Sequence, residues 1–351
     1  MIMAGGTGGH VYPAMAVADY LKAQGWKIVW LCTEGGMENR LIESSGYDKA
    51  MITMQGVRGK GLAGWLLLPV KLLKAFSQSR LALKQHQPSV VLGMGGFAAF
   101  PGGFMAKLLS KPLVIHEQNS IAGLTNKVLA IFATRVLAAF PAAFANKALL
   151  VGNPVRAEMT QLPAPQQRYS ERTGKLNLLV VGGSLGAQAL NDVLPKALAN
   201  LPMDTFNIVH QAGEKHISAL QANYHAAAVA AETKAFINNM AEMYAWADVV
   251  ICRAGALTIA ELACVGVASV LVPFPYAVDD HQTYNAKYLS DAGAAQLIQQ
   301  AEFSVSQATE ILRNLSRKTC LDMAMKAKAL AKPEATKTVA DICKEVALQS
   351  V

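Results

Sequence analysis

Four times along this chain a short apolar run breaks into a glycine-bearing turn and then into a helix-forming stretch. The instances are MIMAGGTGGH (residues 1–10), VVLGMGGF (90–97), LLVVGGSLGA (178–187) and VVICRAGALT (249–258). An unbroken apolar run suits a strand covered on both faces, and a helix that follows a tight turn can pack back over it. Repetition of that unit predicts an α/β protein with parallel sheets flanked by helices, not a bundle or a sandwich. With 351 residues there is chain enough for two such domains, each with its own core.

The stretch ADVVICRAGALTIAELACVGVASVLVPFPYAVDDHQTYNA, residues 247–286, carries the most chemistry. Ala247 to Cys252 reads as a buried strand. Arg253-Ala254-Gly255 reads as a turn in which Gly255 adopts a conformation forbidden to a Cβ. A helix from Ala256 to Ala263 would then leave the amides of Ala256, Leu257 and Thr258 pointing out of the turn. Such a helix start concentrates about half a positive charge and favours a phosphate. One turn further on, Glu261 could accept hydrogen bonds from two sugar hydroxyls. The competing reading is an ordinary strand–turn–helix unit with Glu261 on a wet surface.

At the N-terminus, Gly5-Gly6-Thr7-Gly8-Gly9-His10 leads into an amphipathic helix to about Gln24. A dinucleotide fingerprint fails on spacing: counted from Gly6 and Gly8, the third glycine would fall at Val11. The loop does offer close backbone approach, with an ionisable His10 at the mouth of the helix. Further strands end in Gly93-Met94-Gly95-Gly96, in His116-Glu117-Gln118-Asn119 and in Gly152-Asn153-Pro154-Val155-Arg156. In an open α/β sheet the C-terminal ends of strands are the ligand edge. Residues 157–175 lose periodicity and gain prolines and charges, as a linker does. The echo of residues 3–10 in Gly182-Gly183-Ser184-Leu185-Gly186-Ala187 points to two facing Rossmann-like domains, and an amphipathic last helix, about Glu334 to Ala347, could pack back across the first.

The net charge of +8 favours an anionic partner. No helix-turn-helix, zinc-finger or aromatic RNA-binding pattern accompanies it, so nucleic acid is not expected. The five cysteines lack metal spacing and read as buried thiols. No window qualifies as a membrane span, although 52% of residues are hydrophobic. Instead the segment Trp65 to Lys84 is singled out. Trp65, Leu68, Leu72, Phe76 and Leu83 share a core face. Leu66, Leu67 and Val70 fall elsewhere, beside Lys71 and Lys74, with Arg80 and Lys84 beyond. That surplus suits a surface resting on an anionic bilayer; the alternative is a packed helix with a solvated basic edge. GVRGKG (56–61) reads as a basic loop carrying Arg58 and Lys60.

Taken together, GGTGGHVYPAMAVA, GMGGF, HEQNSIAGLTNK, VGNPVR, GGSLGA, CRAGALTIAE and DDHQTYNA, in this order and spacing, resemble the MurG family of peptidoglycan N-acetylglucosaminyltransferases. The resemblance implies the GT-B fold: two doubly wound domains, 1–155 (with 333–351 packing back) and 156–332, around an interdomain cleft. It implies inverting transfer of N-acetylglucosamine from UDP-GlcNAc to the muramoyl 4-hydroxyl of lipid I, giving lipid II and UDP at the cytoplasmic face of the cell membrane. No cofactor is implied, and no Asp-x-Asp metal motif follows a strand. By the same resemblance Glu261 takes the ribose, Arg156 and the Ile237 backbone the uracil, and Gln282 and Asn285 the donor sugar. Arg253, Ser184 and the run Ala256, Leu257, Thr258, Ile259, Ala260 line the nucleotide, and Thr7, Gly8, Gly9 and Asn119 come from the other domain. The general base is His10 or Glu117. Partners beyond UDP-GlcNAc, lipid I and the anionic membrane would be other cell-wall synthesis proteins. A related UDP-GlcNAc 2-epimerase, another lipid glycosyltransferase or a non-catalytic nucleotide-sugar binder are the competing classes.

Overall fold

The computed structural model describes residues 1–54, 68–144, 147–183 and 186–349. Two compact units result, Met1–Arg156 with Pro333–Val351, and Ala157–Lys332. In the first, strands β1 (Ile2–Met3), β2 (Val29–Thr33), β3 (Asp48–Ile52), β4 (Val91–Gly93), β5 (Leu113–Glu117), β6 (Arg135–Ala138) and β7 (Leu149–Leu150) form one sheet in the order β3-β2-β1-β4-β5-β6-β7. Helices α1 (Gly8–Ala23), α2 (Leu68–His86), α3 (Ala99–Leu108) and α4 (Leu124–Leu129) connect or cover them. In the second unit β8 (Leu176–Val181), β9 (Phe206–Gln211), β10 (Glu232–Lys234), β11 (Val249–Cys252), β12 (Ala268–Leu271) and β13 (Ala295–Leu297) order as β10-β9-β8-β11-β12-β13. Every described strand pair is parallel. Each sheet reverses its winding once, at β1|β4 and at β8|β11. Crevices at such switch points are where doubly wound sheets hold ligands.

Both faces of the first sheet are covered, which is why its strands read as apolar runs. Val11, Ala14, Val17 and Ala18 of α1 pack on one side; Ala82, Leu83, Ala98, Met105 and Ala106 of the α2–α3 layer pack on the other. In the second unit α5 (Pro165–Ser170), α6 (Gln188–Leu198), α7 (Ile217–Ala226), α8 (Met240–Trp246), α9 (Ala256–Val265), α10 (His281–Ser290), α11 (Val305–Arg313) and α12 (Arg317–Ala329) do the same work. The last helix, α13 (Ala335–Leu348), joins the core of the first unit through Val339, Ala340, Cys343, Val346 and Ala347, a one-faced helical stripe. All five cysteines are buried free thiols. Among the described residues no helix is long and apolar enough to cross a membrane.

Three sequence expectations need correction. Residues 157–175 are no bare linker: they hold α5 and a preceding helical turn, Ala157–Thr160. Arg168 and Tyr169 are buried there because the second unit supplies their partners. The Arg168 guanidinium donates to the carbonyls of Tyr244 (3.3 Å) and Val265 (2.9 Å), and the Tyr169 hydroxyl donates to Asp248 O. Strand β5 extends through His116 and Glu117, so these lie in the sheet and not in the loop after it. Gly255 sits at φ −63°, ψ 144°, a conformation open to any residue, so its glycine is not explained by backbone strain.

Candidate functional site

At the switch point of the first sheet, the loop after β1 and the loop after β4 touch backbone to backbone. Gly96 has φ +87°, and a Cβ there would lie 2.3 Å from Gly5 O, so no larger residue fits. Beneath them sits Glu38, fully buried. Its Oε1 accepts from Thr33 N (2.9 Å) and Thr33 Oγ1 (2.6 Å), its Oε2 from Gly6 N (3.4 Å). Sequence reading missed this carboxylate, because TEGGMENR resembles a polar surface turn; the only hint was an acid between glycines and a short apolar stop. Helix α1 then starts at Gly8 from the extended N-cap Thr7, with no side-chain cap and no acid in its first turn. Thr7 and Gly9 are exposed and Gly8 half-buried, so these three predicted binding positions present an open helix start.

His10, half-buried in that first turn, places Nδ1 2.8 Å from Gln118 Oε1. The contact brings the end of β1 and the end of β5 together. Gln118 Nε2 lies 3.1 Å from His116 Nδ1, and His116 Nε2 lies 2.9 Å from Gly152 O. Burial lowers the His116 pKa to about 4, so the ring is neutral at physiological pH. Glu117, the other candidate base, is buried with both oxygens engaged. Oε1 accepts from Asn119 N (2.9 Å) and Asn119 Nδ2 (3.3 Å), and Oε2 from Gly123 N (3.0 Å) and Asn126 Nδ2 (2.9 Å). The carboxylate thus closes the loop from Glu117 to Gly123, carrying half-buried Asn119 with it.

The second rim is built at β11. Arg253 follows the strand, but its guanidinium donates to Val272 O (3.0 Å), Pro273 O (3.1 Å) and Gln300 Oε1 (2.5 Å), and stacks 5.5 Å from the Phe274 ring centre. It fastens the loop after β12. Helix α9 then begins at Ala256 from N-cap Gly255, with no side-chain cap and no acid in the first turn. Ala256, Leu257 and Thr258 therefore have amides without an intrahelical carbonyl, since Ile259 N is the first to bond back, to Gly255 O (3.0 Å). Ile259 is buried and Ala260 half-buried. Glu261 is only 5% exposed, with the Tyr244 hydroxyl 3.5 Å from Oε2, so the wet-surface reading of this residue is wrong.

Gln282 and Asn285, on α10, both reach the turn after β11. The Gln282 side-chain carbonyl accepts from Ala254 N (3.2 Å) and Phe274 N (2.9 Å). Asn285, fully buried, donates Nδ2 to Ala254 O (3.3 Å). Just before α10, Asp279 and Asp280 both lie in the left-handed region (φ 54° and 51°), at a cost of about 1–3 kcal/mol each. Strain of that size in consecutive residues is kept where a loop must hold a particular shape. Ile237 is buried after β10, three strands from β11 in the sheet order, and Arg156 is half-buried at the end of the first unit. Ser184, Leu185, Arg58, Lys60, Trp65, Leu66 and Leu67 lie outside the described residues.

The outer face of α2 is the remaining predicted feature. Val70, Leu73 and Leu81 are 65%, 69% and 66% exposed, and Lys74, Arg80 and Lys84 are exposed beside them. At 100° per residue these six fall within about 120° of the helix circumference. Leu73 and Leu81 were not anticipated. Lys71 is half-buried at the edge of the face, because its position turns toward the inner layer.

Comparisons agree with this architecture. Residues 1–138 match the glycosyltransferase family 28 N-terminal domain, and residues 177–346 the glycosyltransferase family 28 C-terminal domain. A protein of Cupriavidus metallidurans is 57% identical over 351 residues, 100% of this chain and 98% of its own length. One of Nitrosospira multiformis is 55% identical over 99% of this chain and 98% of its own. Both are named UDP-N-acetylglucosamine--N-acetylmuramyl-(pentapeptide) pyrophosphoryl-undecaprenol N-acetylglucosamine transferase. The crystal structure of Acinetobacter baumannii MurG superposes with a TM-score of 0.87 at 43% identity, covering 98% of this chain and 99% of that one.

Proposed function

The chain belongs to glycosyltransferase family 28, and from that premise we infer that it moves N-acetylglucosamine from UDP-GlcNAc to the muramyl sugar of a pyrophosphoryl-undecaprenol acceptor, the lipid I step of peptidoglycan synthesis. The fold is GT-B, with two Rossmann-like domains. The geometric observation that carries the site reading is the uncapped start of α9 at the switch point of the second sheet, with the buried carboxylate of Glu261 on the same helix.

The leaving UDP gains charge as the sugar departs. The amides of Ala256, Leu257 and Thr258 supply fixed donors and a helix dipole to that charge without reorganisation. This lets the chemical step run without a divalent ion, so turnover is expected to persist in excess chelator. Glu261 accepts from the ribose hydroxyls. Because the Gln282 carbonyl is already committed to Ala254 and Phe274, its amide NH2 is the group left for the sugar. Arg253 and Asn285 act on the nucleotide indirectly, by holding the turn and the loop after β12. On the first unit, Thr7, Gly8, Gly9 and Asn119 serve the UDP-GlcNAc donor, and Glu117 is committed to its loop. His10 is then the base that lifts the acceptor proton.

A lipid-linked acceptor requires the enzyme to work at a membrane surface. The exposed stripe Val70, Leu73 and Leu81 with Lys74, Arg80 and Lys84 supports peripheral docking of the first unit on the anionic cytoplasmic leaflet. The decisive experiment follows UDP release from UDP-GlcNAc with and without lipid I, and the anomeric form of the new linkage. Acceptor-dependent release with a β-linked product is the expected result. Isomerisation of the sugar nucleotide without acceptor would make the protein an epimerase.

A further inference from the structure

The polar chain from His10 to Gly152 has a direction fixed by chemistry. At its buried end, Gly152 O only accepts, so His116 Nε2, 2.9 Å away, carries a proton. His116 is completely buried and neutral at physiological pH, so its Nδ1 is bare. The Gln118 amide nitrogen lies 3.1 Å from that Nδ1 and 3.1 Å from His116 O, two acceptors, which orients the amide. Its oxygen faces the opposite way and sits 2.8 Å from His10 Nδ1. An oxygen there demands a proton on Nδ1, and a neutral imidazole has only one to give. Gly95 leaves the ring its place: a Cβ there would lie 2.9 Å from His10 Nδ1 and Cε1, so the imidazole fills space that any side chain at 95 would take.

We propose that Gln118 and His116 are positioning residues that lock neutral His10 in its Nδ1–H tautomer, leaving the Nε2 lone pair as the atom that takes the acceptor hydroxyl proton. The catalytic half of this proposal rests on the reading of His10 as base; the tautomer lock does not. The proton leaves the muramyl hydroxyl as its oxygen bonds to the anomeric carbon, arrives on Nε2, and the bond to UDP breaks. His10 is then imidazolium, with Nδ1–H still on a neutral amide oxygen. A carboxylate in Gln118's place would hold that proton too firmly for rapid return to water. Two carboxyl groups lie in the segments around these residues: Glu117, engaged by four donors, and Glu38, beneath Gly5 and Gly6.

Nitrogen NMR of the full-length enzyme labelled at histidine tests the lock directly. His10 should carry its proton on Nδ1 and His116 on Nε2 at pH 8; a His10 proton on Nε2 overturns the proposal. In kinetics, Gln118→Glu should move the acidic limb of the kcat profile up by about 1–2 pH units, since a carboxylate beside the ring stabilises its charged form. Gln118→Met should lower kcat about tenfold or more with UDP affinity near wild type, and should lower Tm as well, because buried His116 Nδ1 loses its donor. An unmoved limb in Gln118→Glu together with full kcat in Gln118→Met would sink the lock. Should the NMR tautomers hold while His10→Ala keeps full kcat, the base reading falls and the catalytic half falls with it.

Discussion

The side-chain oxygen of Gln282 holds Ala254 N at 3.2 Å and Phe274 N at 2.9 Å, tying the loop after β11 to the loop after β12. One residue therefore serves the scaffold with its carbonyl and the donor sugar with its NH2, and the two roles separate by substitution. Gln282→Glu keeps an acceptor for both amides but removes the donor and adds charge near the diphosphate. It should raise the UDP-GlcNAc KM tenfold or more at nearly unchanged Tm. Gln282→Ala should also lower Tm, because the amide of buried Ala254 loses its partner, at about 1–3 kcal/mol, while that of exposed Phe274 turns to water. Equal Tm losses in both variants would refute the division of labour.

His10→Ala should reduce kcat by about 10²–10⁴ with UDP affinity close to wild type, the range for loss of a general base. Measured by turnover and by calorimetric UDP binding, a parallel loss of both would place His10 on the donor instead.

Much of this was legible in the chain, for a physical reason. Strand ends and helix starts depend on local chemistry, and a glycine turn between an apolar run and a helix former has few other uses. The Ala256–Glu261 helix start was read correctly to within two residues at its far end. What stayed hidden is tertiary commitment of polar groups. Arg253 and Asn285 look like ligand residues, yet backbone carbonyls consume them. Glu38 and Arg168 sit in glycine- or proline-containing segments that resemble surface; Glu38 is held by Thr33 at the end of β2 and by Gly6, and Arg168 by carbonyls far along the chain. His116 and Gln118 gained meaning once β5 ran two residues further than its apolar core, which set a histidine inside the sheet and its neighbour at the rim.

Asp248 is fully buried and bonds Arg172 (2.6 Å), Arg317 (3.3 Å) and Asn177 N (2.8 Å), pinning the start of β11 to α12 and β8. Asp248→Asn removes the charge and leaves two largely buried guanidinium groups uncompensated. The expected loss is about 3–5 kcal/mol. Scanning calorimetry should show a Tm drop of roughly 6–20 °C at 2–4 °C per kcal/mol. A drop below about 2 °C would mean that water already solvates the two arginines.

Stability should also fall in mild acid, through two buried histidines. Burial depresses His116 to about 4 and His210 to about 3, the latter held between Tyr224 OH (2.9 Å) and Asn191 Oδ1 (3.0 Å). Both are neutral when folded, whereas the unfolded chain protonates them near 6.5. The unfolded state thus binds more protons below that pH, so the stabilisation is complete above about 6.5 and is lost progressively as pH drops toward 4 and 3. For His116 the span is worth on the order of 3 kcal/mol. Tm measured from pH 7.5 to 4.5 should decline, and His116→Gln should flatten that decline even if it lowers Tm at pH 7.5. A flat wild-type profile would show that neither ring is held neutral.

The outer face of α2 separates electrostatic from apolar contributions to membrane docking. Lys74, Arg80 and Lys84 would each add about 1 kcal/mol against an anionic surface, so three of them strengthen docking about a hundredfold but do not anchor the protein. Reversing all three to Glu should abolish the salt-sensitive part of binding to vesicles containing anionic lipid, while kcat toward a soluble acceptor analogue stays unchanged. Val70→Ser, Leu73→Ser and Leu81→Ser together should weaken binding to neutral and anionic vesicles alike, because apolar burial is blind to headgroup charge. Their side chains are already about two-thirds exposed, so removing them costs the fold little and should leave Tm in place. If neither set of substitutions changes vesicle binding, the stripe is solvated surface and the lipid acceptor must be met by another part of the first unit.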